Sequence, residues 1–324
     1  MEQKSVLIGM SGGVDSSVAA ALLKEQGYHV IGATMRLWTY SDSCNMKHEG
    51  CCAESAVEDA RRVCDKLGID FYVMNFKDMF KDKVVDYFVD EYIHGRTPNP
   101  CIACNKYLKF DALLKKALAM GIDYVATGHY AKIEKGEDGK YILRASEAVK
   151  KDQSYVLYNF TQEQLAHTLM PLGGYNKDWV RQKAEELGLG VAHKPDSQEI
   201  CFVEDDDYAK FITDYSGYKP KEGDILDVNG NVIGKHRGLI YYTIGQRKGI
   251  GAYGRPMFVM KIDAENNTIT LGEKGMEFSN ELTAYDVNFV SGEFPKENML
   301  ITAKVRYQAP PAAAMLCPQK DGTV

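Results

Sequence analysis

The sequence predicts an α/β protein: a doubly wound, mostly parallel sheet over residues 1–205, a small central β-rich domain over 206–275 and a C-terminal β-barrel-like domain over 276–324. Three observations carry this prediction. β-type apolar runs alternate with helical periodicity through the first half, the order that covers a parallel sheet with helices on both faces. Past residue 205 glycine turns become frequent, as in "DVNGNVIG" and "GQRKGIGAYGRP", and short β-type runs such as "MFVMKID", "TITLG" and "LITAKVRY" take over. With 324 residues, the chain is also long enough to bury more than one core.

The elements of the first half follow in order. Val6–Met10 reads as a buried strand, Ser16–Glu25 as a helix, His29–Met35 as a second strand, Ala53–Leu67 as a helix with basic residues near its end, and Phe71–Asn75 as a third strand. Helical patterns cover 77–93 and 105–120, and a strand follows at Tyr124–Thr127.

Composition narrows the function classes. No apolar run approaches the roughly 18 residues needed to cross a bilayer, so a soluble, cytoplasmic protein with no membrane partner is expected. The eight cysteines sit in a long chain without an export signal, which favours reactive or ligating thiols over a disulfide framework. A net charge of −6 argues against general nucleic-acid binding, but Val228–Ile262 contains no Asp or Glu and holds Lys235, Arg237, Arg247, Lys248, Arg255 and Lys261 among tyrosines. That segment points to an anionic partner, or else to an ordinary solvated surface.

"VLIGMSGGVDSSVAAALL" is the most informative stretch. A strand ends at Met10, Ser11-Gly12-Gly13 turns tightly, and a helix starts near Asp15, so backbone N–H groups and a helix dipole converge on one point. Such a point binds phosphate. The loop lacks the lysine of G-x-x-x-x-G-K-[ST] and is not G-x-G-x-x-G. In type it resembles the loop of the ATP pyrophosphatases (PP-loop, adenine nucleotide alpha hydrolase-like fold), which implies adenylation of an oxygen rather than γ-phosphoryl transfer.

Two cysteine segments bear on the chemistry. Cys104, at the start of the 105–120 helix, is placed where a helix dipole favours a thiolate. Cys101-x-x-Cys104 by itself reads equally as zinc ligands, a redox pair or a sulfur-handling site. Cys201 lies in a strand-like apolar piece of "HKPDSQEICFV", where a thiol on its own is more often inert.

Taken together, "GMSGGVDSSVAA", "GCCAESAVEDARRV", "GRTPNPCIACNKYLKF", "ATGHYA", "KDQSYVLY", "KPDSQEICFV" and "YTIGQRKG", in this order along nearly the whole chain, closely resemble the tRNA-specific 2-thiouridylases. The resemblance implies that the C2 oxygen of the wobble uridine is adenylated by ATP, with Mg2+ as counter-ion, and replaced by sulfur. It implies a persulfide on Cys201, and Cys104 as the catalytic thiol that forms a disulfide with it. Gly9, Met10, Ser11, Gly12, Gly13, Val14, Asp15 and Ser16, with Met35 and Gly128, are implied to bind ATP. Asn99, Pro100 and Cys101 are implied to face the target base, and His129, Lys151, Asp152, Gln153, Arg306 and Tyr307 to contact tRNA or organise its binding. The implied partners are tRNA, a cysteine desulfurase or sulfur-relay protein, and an external reductant.

The chain departs from the family in two places. Many members carry Asp at the position of Cys101, proposed there as a general base, so that role is open here. Three thiols at 101, 104 and 201 also allow a second route to the same product, through an iron–sulfur cluster with one open iron site. Family members usually continue past a segment like "MLCPQKDGTV" with further strands, so the C-terminal barrel is expected to be incomplete. A zinc knot at Cys44, His48, Cys51 and Cys52 is a weaker expectation, because adjacent cysteines chelate one ion poorly. The competing readings are another ATP pyrophosphatase, of amidotransferase or ligase type, and a non-catalytic RNA-binding module, which would need neither the phosphate loop nor two distant thiols.

Overall fold

The computed structural model describes residues 3–38, 54–196, 200–203, 206–276, 279–307 and 309–324. The zinc-knot expectation at Cys44, His48, Cys51 and Cys52 lies outside the described residues. Two compact units emerge. The first comprises residues 1–81, 101–201 and 283–324, and the second 82–100 and 202–282.

In the first unit, β1 (Ser5–Gly9), α1 (Val14–Glu25), β2 (His29–Arg36), α2 (Glu54–Leu67) and β3 (Asp70–Asn75) alternate as the periodicity predicts. After α3 (Lys77–Phe80) the chain passes into the second unit through α4 (Asp86–Ile93), and α5 (Pro100–Ala103) leads back. α6 (Leu113–Ala119), β4 (Tyr124–Ala126), the hairpin β5 (Ala131–Lys135) and β6 (Tyr141–Ala145), α7 (Gln162–Ala166), β7 (Thr168–Leu169) and α8 (Lys177–Glu186) follow. The main sheet has the order β3-β2-β1-β4-β7, with every pair parallel. Strand order reverses between β1 and β4. In an open parallel sheet that switch point is where the carboxyl ends of two strands part and leave a crevice.

The core explains why β1 and α1 read as apolar on all sides. Val6 and Ile8 of β1 and Val18, Ala19, Ala20, Leu22 and Leu23 of α1 pack with Ala60 and Val63 of α2 and Val180 and Ala184 of α8, all 5% exposed or less. Each large side chain buried there contributes about 1.5–3 kcal/mol. A helix enclosed on every face needs small residues at its closest contacts, which the run Ala19-Ala20-Ala21 supplies.

Both long helical runs are broken by π turns, at Lys81–Val85 and at Cys104–Ala112. The run expected at 105–120 begins earlier, at Pro100, a first-turn position where a missing N–H costs nothing. Cys104 therefore lies one full turn into the run rather than at its start, past the turn in which the dipole acts. Cys201 lies in a turn, not a strand.

The second unit holds α9 (Tyr208–Ser216) and a sheet of β8 (Gly223–Leu226), β9 (Val232–His236), β10 (Met257–Asp263) and β11 (Thr268–Glu273) in the order β10-β11-β8-β9. Its core is Ile225, Leu239, Tyr242, Ile250, Met257, Val259, Ile269 and Leu271. Phe88 of α4 meets Phe202 edge-on at 5.3 Å, with Phe211 and Tyr208 of α9 at 6.4 and 6.2 Å, an aromatic cluster that ties 82–100 to 202–282. The last strands, β12 (Met299–Ala303) and β13 (Ala312–Leu316), form an antiparallel pair within the first unit, and among the described residues no barrel closes around them.

Candidate active site

The crevice between β1 and β4 is a cavity of about 210 Å³, lined among others by Gly9, Met10, Ser11, Asp15, Ser16, Met35, Lys109, Gly128, His129 and Gln153. The loop after β1 is held by its own hydroxyls. Ser11 N–H donates to Ser16 Oγ at 3.2 Å, the two hydroxyls lie 3.1 Å apart, and Ser17 Oγ donates to Gly13 O at 2.8 Å. Thr34 Oγ1 on β2 donates to Met10 O at 2.8 Å and fixes the strand end. Gly13 is the N-cap of α1 and provides no side-chain cap, so the helix presents its first N–H groups to the crevice.

Two glycines are required sterically. Gly12 has φ +69°, and a Cβ there would stand 2.2 Å from Ala56 O. A Cβ at Gly128 would stand 2.6 Å from Ser16 N, so the loop after β4 lies directly against the start of α1. Of the sequence-predicted ATP residues, Val14 points into the core at 3% exposure instead of the cavity. Gly12 and Gly13 shape the turn. These residues fit the pyrophosphate end of a nucleotide: an uncapped helix N-terminus, a close backbone approach and a concave site.

Charged side chains that sequence reasoning passed over surround this loop. Lys177 on α8 donates to both oxygens of Asp15 at 2.7 and 2.8 Å and bridges to Asp196 at 2.7 Å. Tyr130 OH also donates to Asp15, at 2.8 Å. Asp196 is shared further with Lys151 at 2.7 Å and Arg181 at 3.2 Å. Burial opposes its ionisation, yet Lys151 and Lys177 hold its carboxyl down at about 2. Lys194 reaches Gly12 O at 3.2 Å and Asp59 at 2.9 Å. Lys194 and Asp196 stand inside the quoted "HKPDSQEICFV", so the motif carried the signal. Lys177 had none.

His129 is half-buried, with Nδ1 2.7 Å from Thr127 Oγ1 and its ring against Phe110. Burial, and then the charge of Lys109, push it well below its usual range, so it is neutral at pH 7. Asp152 accepts from Ser146 N and Ser154 Oγ, and Gln153 Oε1 accepts from Tyr130 N, so both organise the loop. Tyr155, just beyond them, packs its ring against Tyr307 at 6.2 Å and feels the charge of Arg306. The two segments expected to meet tRNA, 151–153 and 306–307, are thus joined through Tyr155.

The thiols sort by environment. Cys64 is fully buried, and burial followed by Asp65 pushes it up to about 12, an inert core thiol. Cys104 is buried, Cys201 half-buried and Cys101 exposed. Among the described residues no three His, Cys, Asp or Glu side chains gather to hold a metal ion. Asn99 and Pro100 belong to the second unit.

In the basic segment, Lys235 pairs with Asp224 at 2.6 Å, Arg255 with Glu273 at 2.6 Å and Lys261 with Asp263 at 3.2 Å, and Arg237 stacks on Tyr241. Half of its apparent charge excess is therefore met by neighbouring acids. Arg247 and Lys248 have no ion pair among the described residues. No helix among these residues is long and apolar enough to cross a membrane.

Comparison with known proteins places this geometry. Residues 4–205 match a family model described as a tRNA methyl transferase HUP domain, and residues 209–273 one described as a tRNA methyl transferase PRC-barrel domain. A tRNA-specific 2-thiouridylase MnmA from Acetivibrio thermocellus is 58% identical over 100% of this chain and 91% of its own length. The protein of that name from Clostridioides difficile is 59% identical over 97% of this chain and 87% of its own. Of the solved structures, a 4-thiouridine synthetase–RNA complex with bound ATP superposes with a TM-score of 0.42 at 18% identity, covering 61% of this chain and 45% of that one. With identity above half over the full chain, the protein belongs to the tRNA-specific 2-thiouridylase family.

Proposed function

We propose that this protein is a tRNA-uridine 2-sulfurtransferase, which uses ATP to replace the C2 oxygen of the wobble uridine with sulfur. The observation that carries the reading is the joint presence of a glycine-built phosphate cradle at the β1/β4 switch point and two distant thiols, Cys104 and Cys201, in a chain nearly 60% identical to proteins of that name.

The uridine C2 oxygen is a poor leaving group, and adenylation converts it into one. The loop at residues 9–16 and Gly128 would hold the nucleotide, with Mg2+ balancing its charge, and pyrophosphate would leave as the O–AMP bond forms. Asn99, Pro100 and Cys101 would face the base, and neutral His129 would act as a hydrogen-bonding group there, not as a cation. Sulfur arrives as a persulfide on Cys201 from a desulfurase or relay protein. In one order of events the persulfide's terminal sulfur attacks C2 and AMP leaves; the Cys104 thiolate then attacks Cys201 Sγ, which releases thiouridine and closes a Cys104–Cys201 disulfide. In the other, Cys104 attacks Cys201 Sγ first and frees hydrosulfide, which attacks C2. Either way two cysteine thiols are oxidised to one disulfide and the transferred sulfur is reduced, so a reductant must reopen the pair before the next turnover. Such a cycle suits the reducing cytoplasm.

Incubation of the protein with unmodified tRNA, ATP and a persulfide donor, followed by nucleoside mass spectrometry, tests the reading. 2-Thiouridine that depends on ATP is the expected product. Its absence, with an amidated or ligated small molecule formed instead, would overturn the assignment in favour of another ATP pyrophosphatase.

A further inference from the structure

The second unit carries Asn99 and Pro100, proposed to face the target base, and also an exposed pair of cations. The two features are bonded to each other. Thr97, two residues before Asn99, donates from Oγ1 to Thr243 Oγ1 at 3.2 Å, and Thr243 also hydrogen-bonds the Tyr92 hydroxyl of α4. At Gly95 a Cβ would stand 2.7 Å from Ile262 Cγ2, so the chain passes directly against β10. The approach to Asn99 is therefore pinned to the sheet of its own unit.

Thr243 opens a turn built around Gln246. Gln246 Oε1 accepts from Thr243 N at 2.9 Å, and Gln246 Nε2 donates to Tyr241 O at 3.2 Å and to Lys248 O at 2.9 Å. The backbone closes the turn onto β10, with Gly245 N donating to Val259 O at 2.7 Å and Val259 N to Gln246 O at 3.0 Å. Arg247 and Lys248 project from this turn, exposed and without an ion pair among the described residues. Lys235, Arg255 and Lys261 of the same acid-free stretch each have an acidic partner. Two adjacent cations held out of ion pairs on a braced turn keep their charge for an outside anion, and the bracing lowers the cost of ordering them. A guanidinium fork and an ammonium both suit phosphate oxygens. A nucleotide presented to Asn99 and Pro100 brings its flanking phosphates with it, covalently tethered close to this turn.

We propose that the turn at 243–249 is an RNA-backbone clamp, in which Arg247 and Lys248 bind phosphates of the strand that presents the target nucleotide. The proposal rests on the reading that Asn99 and Pro100 face the target base, and it adds where the backbone of that strand is held. Phosphate contacts of this kind fix register and carry no sequence information.

The test is the affinity of the full-length protein for an unmodified tRNA transcript with a wobble uridine, and for its anticodon stem–loop alone, by fluorescence anisotropy over a salt series without ATP. Arg247→Gln/Lys248→Gln is expected to weaken binding of both RNAs at least about tenfold and to reduce the slope of log Kd against log salt by about 1 to 2. Replacing the wobble uridine by cytidine is expected to leave that loss unchanged. Lys235→Gln/Lys261→Gln, which removes the same charge from paired positions, is expected to change affinity less than about threefold. Should the first double variant fail to fold by circular dichroism, Lys248→Gln alone decides, with a slope reduced by about 1. A folded variant with unchanged affinity and slope, an equal loss in the paired-lysine variant, or a loss confined to the full tRNA would each overturn the clamp. Normal RNA binding with impaired transfer from a sulfur-donating protein would likewise overturn it, and would assign the turn to an acidic partner protein. A wild type that shows the expected binding but makes no 2-thiouridine sinks the thiolation reading and keeps the clamp, whereas one that thiolates while the double variant binds normally sinks the clamp alone.

Discussion

The phosphate loop and the thiol segments solve opposite problems with opposite construction. Residues 9–17 form their site almost from local bonds: a strand end, the glycine pair at 12–13, three serine hydroxyls and the start of a helix, all anchored to the central strand of the sheet. Cys104 and Cys201 come from distant points in the chain, one within a π-helical run and the other in a turn after a charged segment. A site that binds a polyanion gains from rigidity, since preorganised N–H groups need no reorganisation. In the proposed reaction, Cys201, half-buried, is the thiol that another protein would have to reach. What the difference teaches is that the rigid cradle and the proposed thiols belong to different segments, and Lys177 and Lys194 bond the cradle only as far as Asp196.

Substituting the thiols breaks the comparison most severely. Cys104→Ser and Cys201→Ser are each expected to lower persulfide-driven thiolation by at least about 10³-fold, as removal of a reacting nucleophile does, while the release of pyrophosphate that accompanies adenylation of tRNA, which precedes sulfur attack, is retained in a single turnover. Wild-type-like 2-thiouridine from either variant would show that the thiol half has been misplaced. On the rigid side, Gly12→Ala forces a Cβ toward Ala56 O at a positive φ. A strain of about 1–3 kcal/mol is expected to weaken ATP binding about 5- to 150-fold by calorimetric titration. An unchanged affinity would mean that the loop is more pliable than its contacts indicate.

Cys101→Ser sharpens the boundary between the halves. Because Cys101 is exposed and, among the described residues, no three side chains gather to hold a metal ion, turnover is expected to stay within about threefold of wild type, and protein purified anaerobically is expected to be colourless and iron-free. A brown, iron-containing protein that loses its colour in this variant would restore the cluster route. The smallest effect concerns Asp196. Its folded carboxyl lies at about 2, below the usual range, so its ion pairs stabilise the fold fully above pH 4 or so and are lost as pH falls through 2. Acid unfolding followed by fluorescence should therefore show a steeper loss in wild type than in Asp196→Asn between these values.

Much of the first unit was legible because its signals are local. The strand–helix alternation and the glycine pair at 12–13 follow from side-chain period and backbone sterics, and the helix and strand bounds predicted for α1, β2 and β3 fall within two residues of those observed. The helical periodicity places Cys104 at a helix start, whereas Pro100, a residue suited to a first turn, opens the run one turn ahead of it. Likewise the pairing of 82–100 with 202–282 depends on aromatic contacts between distant residues, which no periodicity reveals.

By itself the sequence determined the parallel sheet and the phosphate loop, since each depends on residue type and spacing over a few positions, whereas the roles proposed for Cys104 and Cys201 rest on the family resemblance. Only the tertiary structure decided which charges matter. Lys177, Asp15 and Asp196 become a unit because α8 packs beside α1, and the acid-free basic segment loses half of its apparent excess because Asp224, Asp263 and Glu273 fold back against it. Coulomb attraction depends on distance in space, and a chain's order says little about that until the core is packed.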